Sequence, residues 1–586
     1  MLPLDNPSKM FDEVRAAIDF AGERRKAAEK VEEMLLSHSY SDEILEVVPE
    51  NHPFEYSSTV LPRLAFNAPK ARITSTERDP EIRASVSGLE HATNKHLRDV
   101  DMRSKQKRVA QDMLTGYGVI LTTMLPVYGG RGQEVQLMVP MPMRLSPRHY
   151  FCDPKAMDWS ECRFKGHMYT MDKEDLKKIA KSRPDEGWNT EKIEEISPDA
   201  GIDGYYGKSK SGPGRDEVLL YEFWVPEKTE GDLGDADEFN GSLYTLAVGS
   251  GSDGKRKSEY VRKPRPYFGP RWGPYVEFGA YYVGDNLYPL SPLMAIVDEL
   301  KDINAHAAAI ARGAAMYKEG VAVDSSNPDA YNQLINFKHG QVFKVPNLAN
   351  SGMQPVKVGG VTPEQYEYRE QSRNGLYRKL GLDQAQRGFA QKGVTATAAA
   401  EAAQATDDRI EYIAREFSDA MSRVIRTVAW YIWHSHFVRI ALGPEAEQDG
   451  LAGEFVGGPP FPIPFAQLNV DIVARSMGHT SDVVLQRRSQ DRLVTLTNLA
   501  PIVPQTPWMK WQRILDDYGQ DNNDENIGDY IDMGVASQAG QAEIAGSQEP
   551  RRIPISPPEK SPVSIEGPAT SAARSRASLN ADAIKV

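Results

Sequence analysis

Cysteine is almost missing from this chain: Cys152 and Cys162 are the only two in 586 residues. That excludes a disulfide framework and any metal site built on clustered cysteines. The pair frames no C-x-x-C, so both read as small core or surface residues. Long apolar runs are missing too. No window of about 18 apolar residues occurs, and the opening stretch MLPLDNPSKMFDEVRAAIDF has no basic region followed by an apolar core. The expectation is an intracellular-type, soluble protein with no membrane span. Basic charge is in deficit: 69 Lys and Arg stand against 82 Asp and Glu, for a formal net charge of -13. A protein that wraps nucleic acid by neutralising phosphates is thereby excluded, but not one that touches DNA without adhering to it.

Catalytic signatures are the fourth absence. There is no G-x-S-x-G, no H-E-x-x-H and no G-x-G-x-x-G placed after a strand. The segment GYYGKSKSGPG ends like a phosphate-binding loop at Gly207-Lys208-Ser209. Ile202 stands where the first glycine is required, no buried strand precedes the segment and Pro213 follows it, so it reads as a surface loop. His434 and His436 lie two apart, a spacing that faces different ways on a helix, and read as polar residues at a helix end. DDYGQDNNDEN resembles a calcium loop in composition alone. No enzyme chemistry, metal or cofactor is expected.

What is present suffices for several cores. The chain is 40% apolar and 26% charged, and its length suggests about three or four domains. A helix spans about Pro7 to His38 and the loop VVPENHPFEY follows, then TVLPRLAFNAPKARIT, an apolar run punctuated by prolines. A helix over about Met102 to Leu114 ends at Gly116-Tyr117-Gly118. VILTTMLPVY and EVQLMVPMPMRL alternate as paired strands, and further strands fall at VLLYEFWV, LYTLAVG and YVRKPRPYF. About Arg183 to Gly214 reads as an insertion or surface loop. The fold class is α+β and helix-rich.

From Leu290 onward helices dominate. Ser291 as N-cap and Pro292 at the first position open one that carries Leu293, Ile296, Val297, Leu300, Ile303, Ala307, Ile310 and Ala314 on one stripe and ends near Gly320. Strand-like GVAV, QVFKV and QPVKV flank a short helix, PDAYNQLINF. Thr362-Pro363-Glu364-Gln365 forms a capping box that opens a helix stopping at Gly381. Then GFAQKGVTATAAAEAAQA, from Gly388, joins a glycine and lysine loop to a helix reaching about Leu442. At ~1.5 Å per residue, roughly 45 residues give ~65 Å. Its stripe runs through Ile410, Ile413, Phe417, Ala420, Val424, Val428, Tyr431, Ser435 and Val438. Helices are expected again after that, and from about Val535 the chain is rich in Ala, Ser and Pro.

This order of elements resembles the portal, or head-to-tail connector, protein of tailed bacteriophages, most of all those of short-tailed phages, over roughly Phe54 to Asp532. The segments carrying it are LPRLAFNAPKARI, MLTGYGVILTTMLPV, MRLSPRHYFCDPKAMDWSECRFKGH, LYPLSPLMAIVDELKDINAHAAAIARGA and GVTATAAAEAAQA. The resemblance implies a wing over 1–286, a first stem helix over 287–320, a clip over 321–361 and a second stem helix over 362–382. A tunnel loop over 383–394, a long helix over 395–442, a helical crown over 443–534 and a tail over 535–586 complete it. It further implies a homo-oligomeric ring of about twelve subunits at one capsid vertex. Double-stranded DNA passes along the axis during packaging and ejection. Partners would be the terminase large subunit, a head-tail adaptor and the major capsid and scaffold proteins. Arg387 and Lys392 would face DNA in the tunnel, and Lys338, Lys344 and Lys357 would meet clip partners. The competing expectations are an ATP-driven DNA-translocating motor using Lys208, and an internal minor head or scaffold protein.

Overall fold

The computed structural model describes residues 2–36, 51–77, 79–127, 137–183, 186–196, 217–226, 239–250, 256–323, 353–358, 360–381 and 396–443. Beyond these it describes parts of 446–477, with Asn332 and Val494. The chain divides into two compact units, Met1–Ser481 and Asp482–Val586, and all elements below belong to the first.

Asn6 caps α1 (Pro7–Phe20), accepting from the amides of Ser8 and Lys9, with Pro7 at the first position. The expected single helix to His38 is instead two: the chain turns at Ala21 into α2 (Gly22–Leu35). The break lets the two apolar faces serve different cores. Met10, Phe11, Val14 and Ala17 of α1 pack with Phe151, Phe164, Tyr221 and Phe223, whereas Val31 and Met34 of α2 join the large central core. A second difference follows. The stretch read as loop and punctuated run is helix α3 (His52–Leu64): Asn51 caps it, Pro53 sits in the first turn, where no ladder bond is lost, and Pro62 lies inside the helix near its C-terminal end, at the loss of one ladder bond.

The strand β1 (Ala71–Ser75) leads to α4 (Pro80–Asp99), capped by Asp79, and α5 (Met102–Thr115), which stops at Gly116 as expected. β2 (Gly118–Val127) and β3 (Leu137–Leu145) are antiparallel, in register from Val119 opposite Leu145 to Val127 opposite Leu137. Next in the chain come β4 (Tyr150–Cys152), β5 (Lys165–Asp172), α6 (Lys173–Ser182), α7 (Thr190–Glu195), β6 (Glu217–Val225), β7 (Phe239–Ser250) and β8 (Arg256–Phe268). β4 to β8 form one five-stranded antiparallel sheet in sequence order. β9 (Tyr275–Phe278) returns to the other side of β2, giving a three-stranded sheet in the order β3-β2-β9.

A 3-10 turn (Met294–Ile296) precedes α8 (Val297–Ala315), so the helix starts later than the Ser291-Pro292 signal. Ser291 Oγ still accepts from the amide of Met294, at 3.0 Å, and donates to the carbonyl of Leu114, at 2.9 Å. β10 (Lys318–Val323) and β11 (Met353–Val358) pair antiparallel, followed by α9 (Pro363–Leu380) and α10 (Ala396–His434). The 39 residues of α10 reach ~58 Å. Ile410, Ile413, Phe417, Ala420, Val424, Val428 and Tyr431 are buried, as the stripe predicts.

The helix stops at His434 rather than near Leu442. Ser435 to Phe437 turn the chain into β12 (Arg439–Ala441), which pairs with β13 (Glu454–Val456). β14 (Leu468–Ile472) then pairs with β1. The described part of 443–477 holds two short strands and a 3-10 turn (Phe465–Gln467), with the β1–β14 pair beside α10 and α4, while the helices expected from Ser481 onward lie outside the described residues. The central core gathers around α10: Phe417, Val424 and Trp430 pack with Tyr56, Leu89, Phe278 and Val470.

Candidate functional site

The α8-to-α9 excursion is built by local chemistry at each end. Thr362 and Gln365 satisfy each other's backbone amides, the capping box that opens α9. Gly381 closes it at φ 70, with its Cβ position only 2.8 Å from Arg409 Cδ. At the far end the backbones of α8 and of the segment entering α9 touch: the amide of Gly360 donates to the carbonyl of Gly313 at 3.1 Å. A Cβ on Gly313 would meet the Gly360 carbonyl oxygen at 2.9 Å, and Gly360 itself lies at φ 105. His306 on α8 meets Tyr368 on α9 edge-on, ring centres 4.6 Å apart, and Lys379 pairs with Glu299.

Among the described residues, the ends of α8 and α9 that frame this excursion are largely exposed. α9 buries Leu376, Tyr377 and Leu380 near its C-terminal end, while Pro363 to Tyr368 are exposed. α8 buries Val297, Leu300, Ile303 and Ile310, yet Ala305, Ala309, Ala314 and Ala315 are exposed. Met316, Tyr317, Tyr366 and Tyr368 are exposed large side chains at that end.

Of the residues expected to make contacts, Arg387, Lys392, Lys338 and Lys344 lie outside the described residues, as does Lys208. Lys357 stands in β11 opposite Glu319 of β10. His434 is the last residue of α10: its Nδ1 is 2.9 Å from the carbonyl of Trp430 and its ring stacks on that indole. Among the described residues no group of three or more His, Cys, Asp or Glu could hold a metal, and no helix is long and apolar enough to cross a membrane.

The structure also places groups together that the sequence reading kept apart. Lys165 on β5 and Glu277 on β9 form an ion pair of 2.8 Å, 7% and 2% exposed. Tyr150 donates its hydroxyl to the same carboxylate, and burial, with that carboxylate alongside, holds the phenol well above its usual range. Arg423 of α10 donates to the carbonyl of Glu277 at 3.2 Å, tying the long helix to the sheet. Beside this network lies a cleft of about 510 Å³ bordered by Trp159, Cys162, Trp224, Trp272 and Arg423. A second cleft, of about 700 Å³, opens between the two sheets and the end of α10, with Leu125, Phe239 and Phe437 on its rim and His167 and Glu222 inside. His167 Nδ1 lies 2.9 Å from the Tyr275 hydroxyl, and burial pulls the imidazole below its usual value. No period or motif signals these sites, because each joins strands distant in sequence. No protein-family model matches this chain, and no curated protein matches it.

Proposed function

We propose that this chain is a portal subunit: a ring-forming, non-enzymatic conduit for double-stranded DNA at one capsid vertex, which docks a packaging terminase and later a head-tail adaptor. The observation that carries the proposal is the exposure of small and large apolar residues at the facing ends of α8 and α9. A helix that is polar around most of its surface and buries side chains only at one end gains little from its own chain. The small residues of α8 and the exposed Met316, Tyr317, Tyr366 and Tyr368 suit lateral packing of identical copies around an axis, in a heterologous contact that closes on itself. The 39-residue helix that follows is buried along its second half in the central core, which anchors it to the α+β body.

Charge fits a conduit. Twelve copies at -13 give about -156 per ring, a field that keeps DNA from adhering while it slides. Arg387 and Lys392 would then touch the passing backbone from the loop before α10. The test is direct: image the purified full-length chain and weigh its assemblies. Closed rings with an axial opening are expected. Monomers and small oligomers alone, under all assembly conditions tried, would overturn the proposal.

A further inference from the structure

Most helices of this chain open with a carboxylate. Glu81 in α4, Glu174 and Asp175 in α6, and Asp298 and Glu299 in α8 lie in first turns, where the helix dipole favours them. α5 does the opposite: its first turn holds no acid, and Arg103, Lys105, Lys107 and Arg108 crowd its opening stretch. Val109, Ala110, Met113 and Leu114 bury the inner face and leave Arg103, Lys107 and Arg108 exposed on the outer one. Arg103 and Lys107 stand one turn apart, a spacing at which like charges repel. Both lie over the exposed ring of Phe66, with Arg103 Cζ 5.5 Å and Lys107 Nζ 5.9 Å from its centre, and Arg103 Nε donates to the Phe66 carbonyl at 2.8 Å. Lys70, after the same loop, and Arg98, near the end of α4, are exposed as well. The neighbouring carboxylates are already taken. Asp99 pairs with Lys95 at 2.7 Å, Asp101 caps α5 through the amide of Ser104, and the buried Asp112 is held by Arg144. Among the described residues no carboxylate pairs with Arg103, Lys107 or Arg108.

We infer that Arg103, Lys107 and Arg108 form a contact for the phosphates of double-stranded DNA on the α+β body, separate from the loop before α10. The inference rests on the conduit reading for the identity of its occupant. Cations that repel one another at the positive end of a helix cost stability, so folding does not account for their placement. A polyanion does. Arg103 and Lys107 are about 6 Å apart along the helix axis with Arg108 beside them, a row that meets successive phosphates rather than a single small ion. The Phe66 ring steadies both side chains through cation–π contact, which reduces the freedom they lose on binding. Contacts of this kind position a duplex without reading its sequence. They are also few: three phosphate contacts give a slope of log affinity on log salt of about -2.7, so binding is weak and readily reversed. That is what a duplex sliding past the body requires.

The test measures binding of a fluorescent duplex of random sequence to the full-length chain between about 50 and 200 mM salt. Arg103→Gln with Lys107→Gln and Arg108→Gln should flatten the salt slope by about 2.7 and weaken binding at the low-salt end about tenfold or more. Circular dichroism should show the variant as helical as the unaltered chain. Each single substitution should flatten the slope by about 0.9, which decides the matter if the triple variant does not fold. Lys177→Gln with Lys178→Gln and Lys181→Gln on α6 makes the same change in charge and should leave the slope as it was. An unchanged slope in the α5 variant, or an equal change in the α6 control, would overturn the inference. So would loss of binding to polyglutamate with duplex binding intact, which would assign the face to an acidic protein surface. Rings that form while the slope stays unchanged defeat this inference alone; a flattened slope in a chain that forms no rings defeats the conduit reading alone.

Discussion

Replacing the Lys165–Glu277 pair one partner at a time, and then both together, probes the junction between the long helix and the sheets. The pair is 2.8 Å long and almost wholly withdrawn from water. Glu277→Gln keeps an acceptor for the Tyr150 hydroxyl but leaves an ammonium buried without its counter-charge. Lys165→Met leaves a carboxylate held by Tyr150 alone. Breaking a buried pair in this way costs about 3–5 kcal/mol, chiefly through the uncompensated charge, whereas removing both charges costs far less. The double variant Lys165→Met with Glu277→Gln should therefore recover most of the loss, with a coupling of about 3 kcal/mol. Denaturant unfolding supplies the midpoints. Hydrogen exchange at the amides of β5 and β9 locates the effect, because local opening is read element by element in a chain of this size. Single variants that each lose under about 1 kcal/mol, or a double variant that loses the sum of the two, would refute the reasoning.

Three other perturbations test separate parts of the molecule. Burial pushes the Asp112 carboxyl up to about 6, even though Arg144 grips it through two bonds of 2.6 and 2.7 Å. A carboxyl whose folded value lies above its unfolded one holds its proton more tightly in the fold. Its contribution is thus greatest at low pH and is lost as pH rises from about 4 to about 6, a slope that Asp112→Asn should remove in stability measured across that window. Gly313→Ala sets a Cβ against the Gly360 carbonyl at 2.9 Å; a loss of about 1–3 kcal/mol, with fewer rings by imaging, is expected. Arg387→Ala with Lys392→Ala should leave ring assembly intact and reduce the DNA held in assembled heads, and unchanged DNA content would remove the role proposed for them.

The parts of the fold legible in the sequence are those whose signals are local. Thr362 and Gln365 cap α9 and Gly381 ends it because each acts within one helical turn. The pairing of β2 with β3 follows their β-branched, turn-bounded runs, and the buried stripe of α10 reflects the period 3.6 directly. Where two signals competed, the packing of distant elements decided. Pro53 and Pro62 suggested interruption, yet Pro53 falls in the first turn of α3, where proline costs no ladder bond, and the packing of α3 against α5 and α10 carries the helix through Pro62. The apolar period of α10 continues through Val438, but the amide of Val438 donates to Ser435 and the carbonyl of Val438 accepts from Gly457, so the chain leaves the helix early. The Lys165–Glu277 pair and the adjoining thiols were not legible: they depend on the register of β4 on β5 and on the path of β9 beside β2.

The pairing of β1 with β14 joins Ala71 to Ile472 and Ser75 to Leu468, positions about 400 residues apart. During synthesis the edge of β1 must wait for its partner. At translation rates of ~5–20 residues per second that wait is about 20–80 s, long after α4 has emerged to pack on β1. Throughout it, an open strand edge with buried-type residues such as Ala71 and Ile73 is available to neighbouring nascent chains. The ribosome-bound chain is thus most exposed to mispairing at its beginning, and a chaperone that covers the segment around 71–75 would raise yield more than one acting after release.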